Sequence, residues 1–403
     1  MTSLRTIVVV GASLAGLHAV ETLRRDGYDG RLIWVGAESY LPYDRPPLSK
    51  EVLRGDWEAE KTALRRKGFE ELTLDLRLGR RALALDPSGR SLELDDGKRV
   101  RYDGLVIATG ATPRRLPGMP ELEGIHLLRT LDDSLAIRSE LEKNPRVLVV
   151  GAGFIGAEVA ASCRLRGLEV TVVEPLPVPM LRGLGVAMGE VCAELHRSHS
   201  VDLRCGLSVE AFEGTHRIGR ARLSDGSMLD ADLVVVGIGV TPETGWLASS
   251  GLALEDGVIC DETCATRAPG VVAAGDVARW YNPLFGESMR VEHWTNAVEQ
   301  GVAAAKRLLA GPDAAEAFAP VPLFWSDQYD VKIQFAGHMR PDDEFRLVHG
   351  SVEERRFVGL YGREGRLVGA LAFNRPRQLI GYRRLIGEYT SWSDALAQAA
   401  KAG

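Results

Sequence analysis

The chain has 403 residues, 45% of them hydrophobic, which is too long for one core and suggests about three domains at usual domain sizes. Its formal net charge is -6, so the protein lacks the positive field that attracts proteins to nucleic acid, and we expect no nucleic-acid partner. No apolar run approaches the roughly 20 residues of a membrane-spanning helix, and no signal peptide is recognisable. We therefore expect a cytoplasmic protein with no membrane partner.

A predicted strand, glycine-rich turn and helix open the chain. The apolar run 6–10 leads into Gly11-Ala12-Ser13-Leu14-Ala15-Gly16, after which apolar residues recur at helix spacing. A second strand, 31–35, then reaches Glu38. This order is typical of a βαβ unit that binds a dinucleotide, although Ser13 replaces the middle glycine of the usual turn. The Ser13 hydroxyl can bond a phosphate, while Glu38 is either a ribose ligand or an exposed loop carboxylate.

The same pattern returns 140 residues later. The run Val147–Val150 leads into Gly151-Ala152-Gly153-Phe154-Ile155-Gly156, a helix follows, and the strand 170–173 ends at Glu174. Between the repeats, alternating residues and two turns predict a β-meander over 83–102. Two later strands end at Gly237-Ile238-Gly239 and at Gly275-Asp276. Each glycine turn can therefore belong to its own βαβ unit.

The second turn has the residues that a pyrophosphate needs. A helix N-terminus offers unpaired N–H groups and a partial positive charge to the phosphates. Gly151 can make the tight turn, Gly153 lets the phosphate approach, and Gly156 lets helix and strand pack closely. Glu174 follows Gly156 by 18 residues, and its carboxylate can accept hydrogen bonds from ribose hydroxyls. Because this carboxylate would repel a 2′-phosphate, we expect NADH, with NADPH less favoured.

The C-terminal part follows an Ala- and Pro-rich stretch, 312–322, that looks like a linker. Strand-like runs at 331–336, 357–360 and 367–373 precede a closing helix, which predicts a third, α+β domain. Five cysteines occur at irregular spacing: Cys163, Cys192, Cys205, Cys260 and Cys264. The spacing of Cys260 and Cys264 leaves a redox pair or metal ligands open, but no second Cys/His pair lies nearby. We expect reduced, mostly buried thiols and no metal site.

Six motifs together carry a resemblance to a known family. They are the GxSxxG turn, Arg45-Pro46-Pro47-Leu48-Ser49-Lys50, Ala108-Thr109-Gly110, the second glycine turn with Ala157-Glu158, Ala274-Gly275-Asp276 and Phe324-Trp325-Ser326-Asp327-Gln328. In this order they resemble the FAD-dependent ferredoxin reductases of the putidaredoxin reductase type. That family serves bacterial cytochrome P450 and ring-hydroxylating dioxygenase systems. The resemblance covers nearly the whole chain, and the PPLSK and FWSDQ strings are its most specific parts.

The resemblance implies an α/β fold of the glutathione reductase type, with two Rossmann-like dinucleotide-binding domains and a C-terminal α+β interface domain. The implied FAD-binding domain is discontinuous, over 1–111 and 240–318. The NAD(P)H-binding domain takes 112–239, and the C-terminal domain takes 319–403. Electrons would pass from NADH to FAD, and then singly to a [2Fe–2S] ferredoxin.

The resemblance also implies site residues. The FAD contacts it gives are Gly11, Ala15, Gly16, Glu38, Arg45, Lys50, Ala82, Arg129, Asp276 and Trp294, to which Ser13 is added from the turn itself. On the NADH side it gives Gly153, Ile155, Glu158 and Glu174. Gly151, Gly156 and Gly239 complete the predicted cofactor-binding set.

Lys50 and Glu158 are the candidate catalytic residues. Hydride transfer from nicotinamide to flavin needs no protein acid or base, but it gains from a positive charge where negative charge accumulates. Pro46 and Pro47 restrict the chain, and Ser49 as a helix N-cap would start a helix at Lys50. We hypothesise that Lys50 pairs with Glu158 between flavin and nicotinamide. The alternatives are a solvated lysine and an exposed helix carboxylate.

The electrons should leave to an external acceptor, because no cysteine occurs before Cys163 and the flavin would have no thiol to reduce. Trp325 is either an electron exit or a simple core residue. A basic cluster, Arg375, Arg377, Arg383 and Arg384, is either a solvated face or a docking site for an acidic ferredoxin.

Three other functions stay open at this point. An NADH oxidase or a rubredoxin reductase would keep both nucleotide sites. A flavoprotein binding module like apoptosis-inducing factor would be reduced very slowly.

Overall fold

The computed structural model describes residues 4–65 and 68–402, and its contacts divide the chain into two compact units. Unit 1 comprises Met1–Asp44, Ala63–Thr112 and Thr241–Phe324; unit 2 comprises Arg45–Thr62, Pro113–Val240 and Trp325–Gly403. The first three residues of the predicted FAD-binding domain lie outside the described residues. The predicted domain boundaries at 111, 239 and 318 stay a prediction.

Unit 1 is built on a five-stranded parallel sheet. Its strands, in spatial order, are Val271–Ala273, Gly104–Ile107, Thr6–Val10, Arg31–Gly36 and Leu74–Leu78. The central strands are continuous β-branched runs because helices and further strands cover both faces. Ile7, Val8 and Val9 are completely buried, and each such side chain contributes about 1.5–3 kcal/mol relative to an exposed one.

Two helices pack together in unit 1, Leu14–Arg25 and Trp294–Ala310. The predicted β-meander is present as the antiparallel strands Ala82–Asp86, Ser91–Leu94 and Arg99–Arg101. A second small sheet contains Val258–Cys260, Ala278–Asn282 and Glu287–Met289. Short 3-10 turns are Glu70–Leu72, Gly245–Leu247, Gly275–Val277 and Pro312–Ala314. Between its second and third segments, the chain leaves unit 1 within the strand Ala111–Pro113 and re-enters it within the strand Val240–Pro242.

Residues 312–322, which were expected to be a linker, pack within unit 1. The Trp280 indole N–H donates to the Phe318 carbonyl oxygen at 3.1 Å, and the two rings lie 5.5 Å apart. Asn282 also donates to the Pro320 carbonyl oxygen at 3.1 Å. Residues 312–322 therefore differ from a loose linker, because one aromatic ring and two backbone carbonyls anchor them.

Unit 2 repeats the parallel arrangement. Its five-stranded sheet runs in the order Asp202–Cys205, Val170–Glu174, Val147–Val150, Leu233–Val236 and Ile125–Leu127. The helices Leu131–Leu141, Phe154–Leu165 and Leu181–Ser198 accompany it, as does a small antiparallel sheet of Val209–Gly214, Ile218–Leu223 and Met228–Asp230. The second βαβ unit expected from the glycine pattern is thus present.

The C-terminal region forms a mostly antiparallel sheet with two helices. The sheet order is Leu323–Gln328, Val331–Gly337, Arg366–Phe373, Arg356–Arg363 and Glu344–Ser351. The helices are Pro376–Gly387 and Trp392–Ala402. This arrangement agrees with the α+β architecture expected from the sequence.

The PPLSK segment groups with unit 2. It forms the 3-10 turn Pro46–Ser49 and the short helix Glu51–Arg54, followed by the turn Ala59–Thr62. Two serine hydroxyls hold it, since Ser134 donates to the Leu48 carbonyl oxygen at 2.7 Å and Ser162 to that of Ser49 at 2.6 Å. Among the described helices, none is long and apolar enough to cross a membrane.

Candidate functional site

The second glycine turn forms the N-terminus of the helix Phe154–Leu165. Gly153 is the N-cap, and no side chain caps the helix there, so its first N–H groups have no capping partner from a side chain. A Cβ placed on Gly153 would meet no described atom within 4 Å, and the same holds for Gly239. Ile155 is 45% exposed on the first turn of the helix. The turn thus offers open space beside a helix dipole, as a bound phosphate requires.

Glu174 ends the neighbouring strand and is buried. One carboxylate oxygen accepts the Ala152 N–H at 2.6 Å, and the other accepts the Leu176 N–H at 2.9 Å. The side chain therefore ties the strand end to the glycine turn. A carboxylate has about four acceptor sites, so capacity for ribose hydroxyls remains.

The first glycine turn lies at the carboxyl edge of the unit 1 sheet. Gly11 follows one strand, Glu38 the next, and Asp276 follows the strand Val271–Ala273 on the other side. Ligands of open parallel sheets bind at this edge. Ser13 is the N-cap of the helix Leu14–Arg25, which begins within the turn and buries Ala15 and Gly16.

Two contacts shape the edge near Glu38. The Glu38 carboxylate accepts the Tyr43 hydroxyl, and its backbone oxygen accepts the Gly79 N–H at 2.9 Å. Ala82, three residues after Gly79 in the chain, is buried.

The helix Trp294–Ala310 brings two polar contacts to the same unit. Gln300 accepts the Gly275 N–H at 2.9 Å and so holds the turn that carries Asp276. The Trp294 indole donates to Asp44 at 2.8 Å. Two buried atoms of this helix, Asn296 Oδ1 and Gln300 Nε2, have no hydrogen-bond partner among the described residues. These orphaned polar atoms are what a polar ligand or ordered water would satisfy.

Lys50 and Glu158 form a buried ion pair, as the sequence analysis expects. Lys50 Nζ lies 2.9 Å from Glu158 Oε2, and the two side chains are only 6% and 4% exposed. Neither residue is therefore a solvated surface charge. Burying both charges is unfavourable unless other hydrogen bonds accompany the pair.

Glu158 has those hydrogen bonds. Oε2 also accepts the Ser49 hydroxyl, while Oε1 accepts the Ser326 hydroxyl at 2.8 Å and the Asp327 backbone N–H at 3.3 Å. Four donors thus converge on one carboxylate. This satisfaction of the buried charge explains how the pair persists away from water.

The expectation that Ser49 is a helix N-cap is wrong. Ser49 ends the 3-10 turn, and Lys50 itself precedes the helix Glu51–Arg54 with a non-helical φ of -126° and ψ of -100°. An N-cap hydroxyl must accept a backbone N–H from the first turn of the helix, but Ser49 lies one residue before the N-cap position and its hydroxyl donates to the Glu158 carboxylate. The hydroxyl is therefore directed to Glu158 and leaves the helix start uncapped by a side chain.

The predicted site residues are distributed over both units. Unit 1 holds Gly11, Ser13, Ala15, Gly16, Glu38, Ala82, Asp276 and Trp294; unit 2 holds Arg45, Lys50, Arg129, Gly151, Gly153, Ile155, Gly156, Glu158, Glu174 and Gly239. In unit 2, Arg45 donates to the Arg129 carbonyl oxygen at 2.6 Å. The roles of all these residues stay predictions.

The five thiols are free, and four are buried. Burial raises the pKa of Cys163, Cys192 and Cys260 to about 12 and that of Cys264 well above its usual range. Such thiols are poor nucleophiles and poor ligands. Among the described residues, no group of His, Cys, Asp and Glu side chains is arranged to hold a metal ion.

The basic cluster lies at one helix of the C-terminal region. Arg375 precedes the helix Pro376–Gly387, and Arg377 and Arg384 are exposed on it. Ile380, which is 68% exposed, lies between them at helical spacing. Trp325 is partly exposed and alternates with the buried Phe324 and Ser326 along its strand. Arginine is enriched at protein interfaces, and the docking role of this cluster stays a prediction.

Two family models match this chain. One, described as pyridine nucleotide-disulphide oxidoreductase, matches residues 5–301, and the other, reductase C-terminal, matches residues 323–402. The chain is 37% identical, over 94% of its length and 93% of the relative, to the anthranilate 1,2-dioxygenase system ferredoxin–NAD(+) reductase component of Burkholderia cepacia. It is 35% identical to rhodocoxin reductase of Rhodococcus erythropolis, over 94% of its length and 89% of that relative.

A solved structure is similar over nearly the whole chain. The crystal structure of the covalent putidaredoxin reductase–putidaredoxin complex superposes with a TM-score of 0.92 at 30% identity, over 99% of this chain and 98% of that chain. The predicted α/β fold is thereby confirmed. Fold and site together define an oxidoreductase that uses flavin and NAD(H). The chain belongs to the pyridine nucleotide-disulphide oxidoreductase family, and its C-terminal part has the reductase C-terminal domain.

Sequence reasoning missed three polar residues of the site. Ser326 and the Asp327 backbone reach Glu158 although 168 residues separate Ser326 from it, and Gln300 holds the Gly275 turn. The FWSDQ string, one of the motifs that carry the family resemblance, was the sequence signal for the first two; in the structure Ser326 and Gln328 are buried and alternate with partly buried residues. No local pattern marks Gln300, since its partner lies in another element.

Proposed function

We propose that the protein transfers a hydride from NADH to FAD and passes the electrons singly to a [2Fe–2S] ferredoxin. That ferredoxin would serve a cytochrome P450 or Rieske-type oxygenase. The observation that carries the proposal is the nearly full-length similarity to ferredoxin–NAD(+) reductase components and to putidaredoxin reductase. The first cysteine of the chain, Cys163, is buried, which favours an external electron acceptor over a protein disulfide.

The residues of both units fit the two dinucleotides. The open space at Gly153 and the helix start beside it suit the NADH pyrophosphate, and Glu174 suits its ribose. The corresponding turn at Gly11 and the orphaned atoms of Asn296 and Gln300 suit FAD. When bound, FAD supplies the hydride acceptor and the one-electron donor, which protein side chains lack.

The chain's own residues orient and stabilise charge in this scheme. Lys50 places a positive charge that Glu158 holds in position, and burial of the pair keeps water away from it. A charge fixed in a dry site acts more strongly than one in water. The stiff Pro46-Pro47 turn and the Ser134 and Ser162 hydroxyls keep the Lys50 backbone in place.

An anaerobic reduction experiment tests the proposed function. The FAD-loaded protein is reduced by NADH and then mixed with a panel of [2Fe–2S] ferredoxins, with cytochrome c as the reporter. We expect rapid flavin bleaching and ferredoxin-dependent cytochrome c reduction. Activity with quinones and with no ferredoxin would overturn the proposal. Turnover with O₂ alone would indicate an NADH oxidase. Slow flavin reduction with a long-lived charge-transfer complex would indicate a flavoprotein binding module.

NADH should be preferred to NADPH, because the Glu174 carboxylate repels a 2′-phosphate. We expect Glu174→Ala to lower the ratio of kcat/KM for NADH to that for NADPH by about tenfold, the change given by 1.4 kcal/mol. The variant also loses the Ala152 contact, but both nucleotides use the same pyrophosphate turn. That loss therefore lowers kcat/KM for NADH and for NADPH equally and does not change their ratio. A ratio equal to that of the wild type would remove Glu174 from nucleotide selection.

The helix Pro376–Gly387, which carries Arg377 and Arg384, should dock an acidic ferredoxin. We expect the double variant Arg377→Glu, Arg384→Glu to lower the rate constant for ferredoxin association about tenfold at low salt and to weaken its salt dependence. The control is Arg220→Glu, an exposed arginine of the small antiparallel sheet. Flavin reduction by NADH should be normal in both. Equal association rates in the two proteins would exclude docking on this helix.

The cytoplasmic location stays a prediction from the sequence.

A further inference from the structure

We propose that Ser326, in the first strand of the C-terminal domain, is a positioning residue for hydride transfer because it fixes the Glu158 carboxylate that holds Lys50. The inference rests on the proposed function of the ion pair. It gives the C-terminal domain a part in the reaction with NADH, in addition to any part in ferredoxin docking.

Ser326 donates its hydroxyl proton to Glu158. Its completely buried hydroxyl lies 2.8 Å from Glu158 Oε1 and 3.1 Å from Gln328 Nε2. Gln328 Nε2 also faces the Met180 sulfur at 3.7 Å, and a thioether has no proton to give. The amide nitrogen therefore points toward both atoms and donates to Ser326. The single Ser326 proton is then committed to Glu158.

Both oxygens of the Glu158 carboxylate are held. Lys50 and Ser49 bind Oε2, whereas Ser326 and the Asp327 N–H bind Oε1. Lys50 and Ser49 come from one segment, and Ser326 and Asp327 from the strand Leu323–Gln328. A carboxylate held at both oxygens cannot rotate about its last bond. Without Ser326, Oε1 keeps only the long contact to Asp327, and the carboxylate gains freedom to turn away from Lys50.

The residues that follow Ser326 anchor it in the fold. Gln328 is completely buried two residues further on, and the next residue, Tyr329, binds His196 Nδ1 through its hydroxyl at 3.0 Å. Tyr329 also stacks on His199 with ring centres 3.6 Å apart. Burial lowers the pKa of His196 to about 4, so this histidine is neutral at physiological pH. The contact with the neutral His196 thus ties the hairpin to the helix Leu181–Ser198, and the ring of His199 packs on Tyr329 just beyond the end of that helix.

The test compares Ser326→Ala, Ser326→Thr and the control Ser391→Ala. Ser391 is another C-terminal serine whose hydroxyl donates to a carboxylate, that of Asp394, at 2.7 Å. Stopped-flow reduction by NADH gives the limiting hydride-transfer rate constant and the NADH dissociation constant. We expect Ser326→Ala to lower the rate constant about tenfold, less than the roughly 10²-fold that a 1 Å misplacement can cost, with the dissociation constant within about twofold of the wild type. Ser326→Thr should restore the rate, and Ser391→Ala should not change it.

A crystal structure supplies a readout that does not depend on activity. In Ser326→Ala we expect Glu158 in a second rotamer, or its distance from Lys50 lengthened beyond the 2.9 Å of the wild type. An unchanged Glu158 with an unchanged hydride-transfer rate would overturn the inference, as would a loss confined to ferredoxin reduction. If Lys50→Met also left hydride transfer unchanged, the failure would belong to the proposed role of the ion pair. If Lys50→Met slowed it and Ser326→Ala did not, only the present inference would fail.

Discussion

Replacing Lys50 by methionine should slow hydride transfer from NADH about 100-fold, because removing one preorganised charge-stabilising donor costs about 10²–10³ in rate. Methionine preserves most of the apolar stem but removes the charge 2.9 Å from Glu158. Stopped-flow flavin bleaching under anaerobic conditions measures the effect. The control is Lys332→Met, which removes a half-exposed lysine that pairs with Asp327 at 3.4 Å. A Lys50→Met rate within about twofold of that control would contradict the role.

A double variant separates the catalytic effect from loss of stability. Lys50→Met leaves Glu158 as a buried charge without its cation, and breaking such pairs costs about 3–5 kcal/mol. Three hydrogen-bond donors remain on Glu158, so we expect the lower end of that range. Adding Glu158→Gln removes the uncompensated charge and keeps an acceptor. The double variant should regain most of the stability in thermal unfolding, yet hydride transfer should stay slow.

The sequence could predict the repeated βαβ units because each depends on local signals. Continuous β-branched runs end in glycine-rich turns, and helix-spaced apolar residues follow within a few positions. The parallel sheets of both units accordingly contain the predicted strands Thr6–Val10 and Val147–Val150. The Lys50–Glu158 pair could be predicted for another reason, because both residues lie in motifs of a recognisable family.

The sequence could not predict how the pair is held. Serine is a favoured N-cap residue, but the chain places Ser49 in the preceding 3-10 turn, one residue before the helix N-cap, where its hydroxyl donates to the buried Glu158 carboxylate. Ser326 lies far from Glu158 in sequence, and only the folded hairpin brings it within 2.8 Å. Likewise, the Phe318 contact that anchors the expected linker depends on Trp280 in another strand. Tertiary contacts of this kind leave no periodic signal.

The two glycines of the second turn should respond in opposite ways to alanine substitution. Gly153 has φ -73° and ψ -176°, which any residue adopts, and a Cβ there would meet no described atom within 4 Å. A Cβ on Gly156 would lie 2.0 Å from the Gly151 carbonyl oxygen, so the backbone itself must move. We expect Gly153→Ala to unfold like the wild type but to bind NADH at least about tenfold more weakly, a loss of 1.4 kcal/mol. Gly156→Ala should lose about 3 kcal/mol of stability, at the upper end of the usual cost of overpacking.

Thermal unfolding and NADH titration of the same preparations distinguish the two effects. Ser13, in the corresponding position of the first turn, shows that this backbone accepts a side chain, so the reason for glycine at 153 lies in the ligand. FAD content should be normal in Gly153→Ala, since the first turn is untouched. If Gly153→Ala bound NADH with wild-type affinity, the phosphate would not approach the backbone at this turn. The prediction that NADH binds at the N-terminus of the helix Phe154–Leu165 would then be wrong.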